Sequence, residues 1–139
     1  MDLILIVSDS DSVLEELRSA LEDGETEIRE LRAGEEVRDE VEQDPPDLVI
    51  TDLQVGNMGG MAICLDLHLE ESGGRIPHVP VLILLDRRAD VFLARRSAAE
   101  GWLVKPLDPI RIRRAVRAVL EGGTFYDESY KPLPLGADL

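Results

Sequence analysis

Across 139 residues there is one cysteine, Cys64, and there are two histidines, His68 and His78. A lone cysteine makes no internal disulfide, which predicts a reducing compartment. Cys64 reads as a small buried hydrophobe. The two histidines lack metal-ligand spacing and read as surface residues. No apolar run approaches the roughly 20 residues that span a bilayer. The opening residues, MDLILIVSDS, have neither the positive start nor the cleavage site of a signal peptide. The expected location is therefore the cytoplasm. Basic residues are also scarce, 15 against 29 acidic for a net charge of −14, which disfavours nucleic acid and anionic membranes as partners. A Walker-type loop, a Gly-x-Gly-x-x-Gly after a strand and an evident Ser-His-Asp set are all missing.

What the chain does contain is 44% apolar residues, enough for a real core in one domain of ordinary size. Charge is unevenly placed. Residues 1–86 carry 22 acidic and 5 basic side chains, whereas residues 87–117 carry 3 acidic and 9 basic. The basic segment is either a solvated helix surface or a docking face.

Short apolar runs alternate with longer amphipathic ones. Residues 3–7, 48–50, 79–85 and 102–104 are continuous and β-rich, which implies strands buried on both faces, as in a parallel sheet covered by helices. Residues 26–32 are more polar and suit an edge strand. Residues 11–23 place Val13, Leu14, Leu17, Ala20 and Leu21 on one stripe behind Ser10 as N-cap. Residues 34–43 predict a short acidic helix. Residues 109–121 place Ile112, Ala115, Val116, Val119 and Leu120 on one stripe, with Asp108 as cap, Pro109 in the first turn and Gly122-Gly123 as the stop. Residues 61–69 alternate almost like a strand, but parallel neighbours need a crossover, so a helix is expected there. Residues 89–99 predict a weak helix with Val91, Ala94 and Ala98 inward. The result is a five-stranded, doubly wound parallel α/β sheet.

Ligands in such sheets bind beyond the carboxyl ends of the strands, near the topological switch point. Ser8 and Asp9 follow the first strand, Asp52 the third, Leu85-Asp86 the fourth and Lys105-Pro106 the last. Asp9, Asp52 and Lys105 therefore converge on one rim. Paired carboxylates hold a hard cation such as Mg²⁺, a lysine beside them can hold a phosphoryl oxygen, and a carboxylate with a bound metal suits phosphoryl transfer. The bland alternatives are a helix-capping role for Asp9 and a structural salt bridge between Lys105 and Asp52.

With these residues placed, the segments ILIVSDSD, PDLVITDLQVGNMGG, PVLILL and WLVKPLD together resemble the response-regulator receiver family of bacterial two-component systems, from about residue 2 to 121. The resemblance implies a flavodoxin-like (βα)5 fold with strand order 2-1-3-4-5. It implies a phosphoprotein that signals in a phosphorelay, is not an enzyme beyond its own aspartyl phosphorylation and dephosphorylation, and carries Mg²⁺. Asp52 would be the phosphoacceptor and Lys105 the phosphoryl contact. Asp9, Asp52 and the backbone carbonyl of Gln54 would hold the metal, with Ser8 contributing through water. Pro106 would follow a cis peptide bond. Trp102 would occupy the position of an aromatic that reports activation, although core packing and an interface anchor are also open to it.

Three residues depart from the pattern. Ser8 replaces an acid of the metal pair, which weakens the site. Leu85 replaces the hydroxyl that normally contacts the phosphoryl oxygen, so the switch of Leu85 and Trp102 cannot run in its usual form; that bond to a charged group is worth roughly 1.5–3 kcal/mol. Gly56 replaces a proline, which predicts a looser loop.

The resulting expectation is a receiver that takes a phosphoryl group on Asp52 from a histidine kinase or phosphotransfer protein and passes the signal to a downstream protein effector. The alternatives are a phosphorylation-independent pseudo-receiver acting as a protein-interaction module, a flavodoxin-like small-ligand-binding domain, and a structural dimerisation module. Arg95, Arg96, Arg111 and Arg114 are candidates for an interface, including a homodimer through the fourth helix, fifth strand and fifth helix. The expected division is a receiver domain over 1–121 and a tail or linker stub over 122–139. That tail reads as a linker, a disordered end or a strap docked through Phe125, Tyr126 and Tyr130.

Overall fold

The computed structural model describes residues 1–128. Strands β1 (Leu3–Val7), β3 (Leu48–Asp52), β4 (Val81–Leu85) and β5 (Gly101–Val104) are the four continuous apolar runs, and β3 and β4 are buried at every position. The polar β2 (Glu27–Leu31) pairs in parallel with β1 alone and forms one edge. Side chains alternate between two cores. Ile4, Ile6, Ile50, Leu82 and Leu84 face α1 (Asp11–Leu21) and α5 (Pro109–Leu120). Leu5, Val7, Val49 and Ile83 face α2 (Val37–Gln43), α3 (Gly60–Ser72) and α4 (Val91–Arg96). The doubly wound α/β fold is therefore present.

The sheet has six parallel strands rather than the expected five, in the order 2-1-3-4-5-6. The addition is β6 (Phe125–Tyr126), paired in parallel with β5. Its two residues are too short to carry a sequence period. Residues 129–139 of the expected tail, including Tyr130, lie outside the described residues.

Helix boundaries follow local chemistry. Ser10 Oγ accepts from the Val13 amide at 3.4 Å and Asp108 Oδ1 from the Arg111 amide at 2.9 Å, so both expected N-caps are made. At the far end of α5, Gly123 donates to the Ala118 carbonyl and Gly122, at φ 90°, to that of Val119. These two bonds are the αL helix stop that favours glycine. Residues 61–69 are helical, and Ile63, Cys64 and Leu67 face inward. Their strand-like alternation arises because Leu65 and Leu69 remain apolar on the exposed side. The fourth helix is shorter than expected. It ends at Arg96, and Ala98 turns outward at φ 60° while Ala99 takes the buried position.

Candidate functional site

The order β2-β1-β3 places the topological switch between β1 and β3. Register then fixes what meets there. Asp52 is paired with Leu84, and Leu85 with Val104, so Asp52, the β4 end and Lys105 share one rim. The Lys105 amide donates to the Leu85 carbonyl at 2.8 Å, and the Lys105–Pro106 bond is cis, as expected.

Asp52 is 4% exposed, and both of its oxygens are engaged. Lys105 Nζ forms an ion pair with Oδ1 at 2.7 Å. Ser8, fully buried, donates its hydroxyl to Oδ2. The same hydroxyl accepts from the Ser10 amide at 3.1 Å, which orients it toward Asp52. Lys105 also reaches Asp86 Oδ1 at 2.9 Å, so its charge is divided between a buried and an exposed carboxylate. Burial opposes the charge on Lys105, but Asp52 and Asp86 outweigh it and raise its pKa above the ordinary lysine value.

The remaining expected residues separate. Asp9 is exposed, and its Oδ2 accepts from the Gly56 amide at 3.2 Å, across from β1 to the loop after β3. Gly56 stands at φ 50°, where proline cannot go, and supplies an N–H that proline lacks. The glycine expected to loosen this loop thus also fastens it to Asp9. Beneath the loop, a Cβ on Gly59 would lie 2.1 Å from the Leu53 carbonyl oxygen, so the chain closes tightly around the end of β3. Gln54 is exposed in this loop. Leu85 is wholly buried in the core and offers no donor to the rim.

Trp102 is 3% exposed. Its ring stacks on Tyr126 at 4.4 Å, and the Arg95 guanidinium lies 5.8 Å from its centroid. Its indole N–H has no partner among the described residues. Of the four interface arginines, Arg95, Arg96 and Arg114 are exposed, and Arg96 covers the exposed ring of Phe92 at 5.3 Å. Arg111 turns inward, where it binds Asp108, Asp127 and the carbonyls of Val104 and Pro106. Two partnerships were not expected. Asp86 engages Lys105, and Asp127 is buried beside Arg111. Asp127 follows two aromatics in a tail with no periodic signal, and its alignment depends on the β5 edge.

The candidate ligands Asp52, Asp9 and the Gln54 carbonyl all offer hard oxygens, which suits Mg²⁺ in kind. Asp52 and Asp9 supply the carboxylates, and no group of three or more acidic, histidine or cysteine side chains disposed to hold a metal occurs among the described residues. No helix among them is long and apolar enough to cross a membrane.

Comparison with known proteins places this geometry. The family profile described as "Response regulator receiver domain" matches residues 4–117. The Bacillus subtilis alkaline phosphatase synthesis transcriptional regulatory protein PhoP is 27% identical over 119 residues, covering 84% of this chain and 48% of PhoP. This chain thus spans about half the length of that relative. Protein PilH of Pseudomonas aeruginosa is 27% identical over 122 residues, covering 88% of this chain and all of PilH. Among solved structures, the signal receiver domain of a signal transduction histidine kinase from Syntrophus aciditrophicus superposes with a TM-score of 0.76 at 26% identity. It covers 99% of this chain and 100% of its own. The chemotaxis response regulator CheY4 of Vibrio cholerae shares the fold, with a TM-score of 0.74 at 23% identity, over 86% of this chain and 98% of its own.

Proposed function

Because the chain belongs to the response regulator receiver domain family, we propose that it accepts a phosphoryl group on Asp52 from a histidine kinase or phosphotransfer protein and signals through protein contacts. The observation that carries this reading is the ion pair between Lys105 Nζ and Asp52 Oδ1 at 2.7 Å, at the carboxyl edge of the sheet. A carboxylate oxygen of Asp52 attacks phosphorus as the phosphorus–nitrogen bond to the donor histidine, protonated on its other ring nitrogen, breaks, leaving an acyl phosphate on Asp52 and a neutral imidazole on the donor. Lys105 balances charge that develops on the phosphoryl oxygens and keeps the acceptor aligned. Its ammonium has three N–H donors, so a phosphoryl oxygen takes the third or displaces Asp86. Ser8 Oγ gives up its bond to Asp52 Oδ2 or follows it.

Asp52, Asp9 and the Gln54 carbonyl would hold Mg²⁺, with Ser8 contributing through water. Such an ion supplies charge neutralisation to phosphoryl transfer. One carboxylate fewer than the family pattern means weaker retention. On this reading the chain catalyses only its own aspartyl phosphorylation and dephosphorylation. Its output passes to a protein effector, or to a second copy through α4, β5 and α5, where Arg95, Arg96 and Arg114 lie exposed.

The test is incubation with Mg²⁺ and acetyl phosphate or beryllofluoride, followed by intact mass and Trp102 fluorescence, with Asp52→Asn as control. The expected result is an adduct that the control lacks. No adduct at high Mg²⁺ sinks the phosphoacceptor role and leaves a constitutive protein-interaction module.

A further inference from the structure

The edge of β5 is built to receive a strand. Phe125 donates its amide to the Glu100 carbonyl at 3.1 Å, and Asp127 donates to that of Trp102 at 3.2 Å. Gly101 is what allows the approach, since a Cβ there would stand 2.5 Å from the Phe125 carbonyl oxygen. Two side-chain sockets follow. Tyr126 stacks on Trp102. Asp127, 3% exposed, accepts from the Val104 amide at 2.8 Å and pairs with Arg111, which also binds Asp108 and the carbonyls of Val104 and Pro106. The sockets belong to β5 and the start of α5. The strand that fills them is two residues long, Tyr126 is about half exposed, and the segment hangs from Gly122-Gly123. A short edge strand held by few backbone bonds belongs to the low-stability end of a fold.

We propose that the β5 edge is a strand-docking site for an extended segment bearing an aromatic residue followed by a carboxylate. In this chain its own Phe125–Asp127 fills the site, and when that segment lifts, a partner protein's segment of the same chemistry adds to the sheet. Main-chain bonds to a sheet edge give such docking its affinity, and pockets for side chains give it selectivity. The proposal stands apart from the phosphorylation of Asp52. The two sites nonetheless share the end of β5, since Val104, held by Asp127 and Arg111, directly precedes Lys105.

The first test is hydrogen exchange on the unaltered full chain. The Phe125, Asp127 and Val104 amides should exchange well ahead of the β3 and β4 amides, by about tenfold or more. Exchange at the core rate makes the strand a permanent part of the fold and overturns the proposal. The second test uses the full-chain double variant Tyr126→Ala/Asp127→Asn and a labelled peptide spanning residues 123–128. The peptide should bind the variant about tenfold more tightly than it binds the unaltered chain, and replacing its aspartate by asparagine should weaken binding about tenfold. Equal binding to both proteins, binding indifferent to the aspartate, or a folded variant that binds nothing overturns the proposal. So does a variant that unfolds, because the strand is then integral to the domain.

Discussion

Ser8 donates its hydroxyl to Oδ2 of Asp52, so the residue that stands where the receiver family carries an acid acts here as a hydrogen-bond donor to the Asp52 carboxylate. With Lys105 in an ion pair with the other oxygen, Asp52 meets protein groups on both sides. Replacing Ser8 by Asp exchanges that bond for a second buried carboxylate. We expect Ser8→Asp to lower stability by about 2–3 kcal/mol without divalent cation, through a lost bond to a charged group and like-charge repulsion. Mg²⁺ should restore much of it. Melting curves with and without Mg²⁺ would show a larger shift for the variant than for the unaltered chain; equal shifts would refute this account of the site.

Lys105 compensates a carboxylate that is almost fully buried. Lys105→Met leaves that charge unpaired. Lys105 keeps about a quarter of its side chain in solvent (24%), so the expected loss is about 2–3 kcal/mol, below the roughly 3–5 kcal/mol of a fully buried pair. Adding Asp52→Asn should recover part of it. Urea unfolding of the two variants measures both effects, and an additive double variant would show that the pair is not coupled.

Asp86 competes for the same ammonium from an exposed position. Asp86→Asn should change stability by less than about 1 kcal/mol, as exposed ion pairs do. It should also raise the yield of acyl phosphate a few-fold by releasing Lys105 to the phosphoryl group. An unchanged or reduced yield from acetyl phosphate would show that Asp86 does not compete.

Gly56→Pro restores the residue usual in the family, yet it should destabilise this chain. Proline is confined near φ −65° and has no N–H, whereas Gly56 sits at φ 50° and donates to Asp9. The expected cost exceeds about 1 kcal/mol. A melting temperature at or above that of the unaltered chain would mean that the loop takes another conformation without penalty.

His78 bridges Glu71 at 2.8 Å and Glu100 at 3.1 Å. The bond to Glu71 is the main cause of a pKa raised above the ordinary value of 6.5; burial works against the shift and Glu100 adds to it. A raised pKa means that the folded chain holds this proton more tightly than the unfolded chain. The contribution is therefore complete below pH 6.5 and is lost as pH rises through the raised value. Half-exposure of the imidazole keeps it small. Stability measured from pH 5.5 to 8.5 should fall less steeply for His78→Gln than for the unaltered chain, and identical slopes would remove His78 from the account.

Some of this protein was decided locally, and such features are legible in a sequence. Continuous apolar runs such as LILIV and VLILL have to be buried on both faces, so they imply a parallel sheet under helices. Ser10, Asp108 and Gly122-Gly123 act within a few residues of themselves, so the ends of α1 and α5 could be read directly. Because strand ends are set by the same runs, Ser8, Asp9, Asp52 and Lys105 could be assigned to one rim. Tertiary structure decided the rest, because those partners are far apart in the chain and leave no local trace. The Ser8–Asp52 bond spans 44 residues and the Gly56–Asp9 bond 47. The claim of Asp86 on Lys105 depends on how β4 and β5 align. The pairing of Arg111 with Asp127 joins residues 16 apart in the chain, and β6 depends on an edge of β5 that only the assembled sheet presents. A two-residue strand has no period to read, and it exists because Gly101, Trp102 and Arg111 have already been brought together.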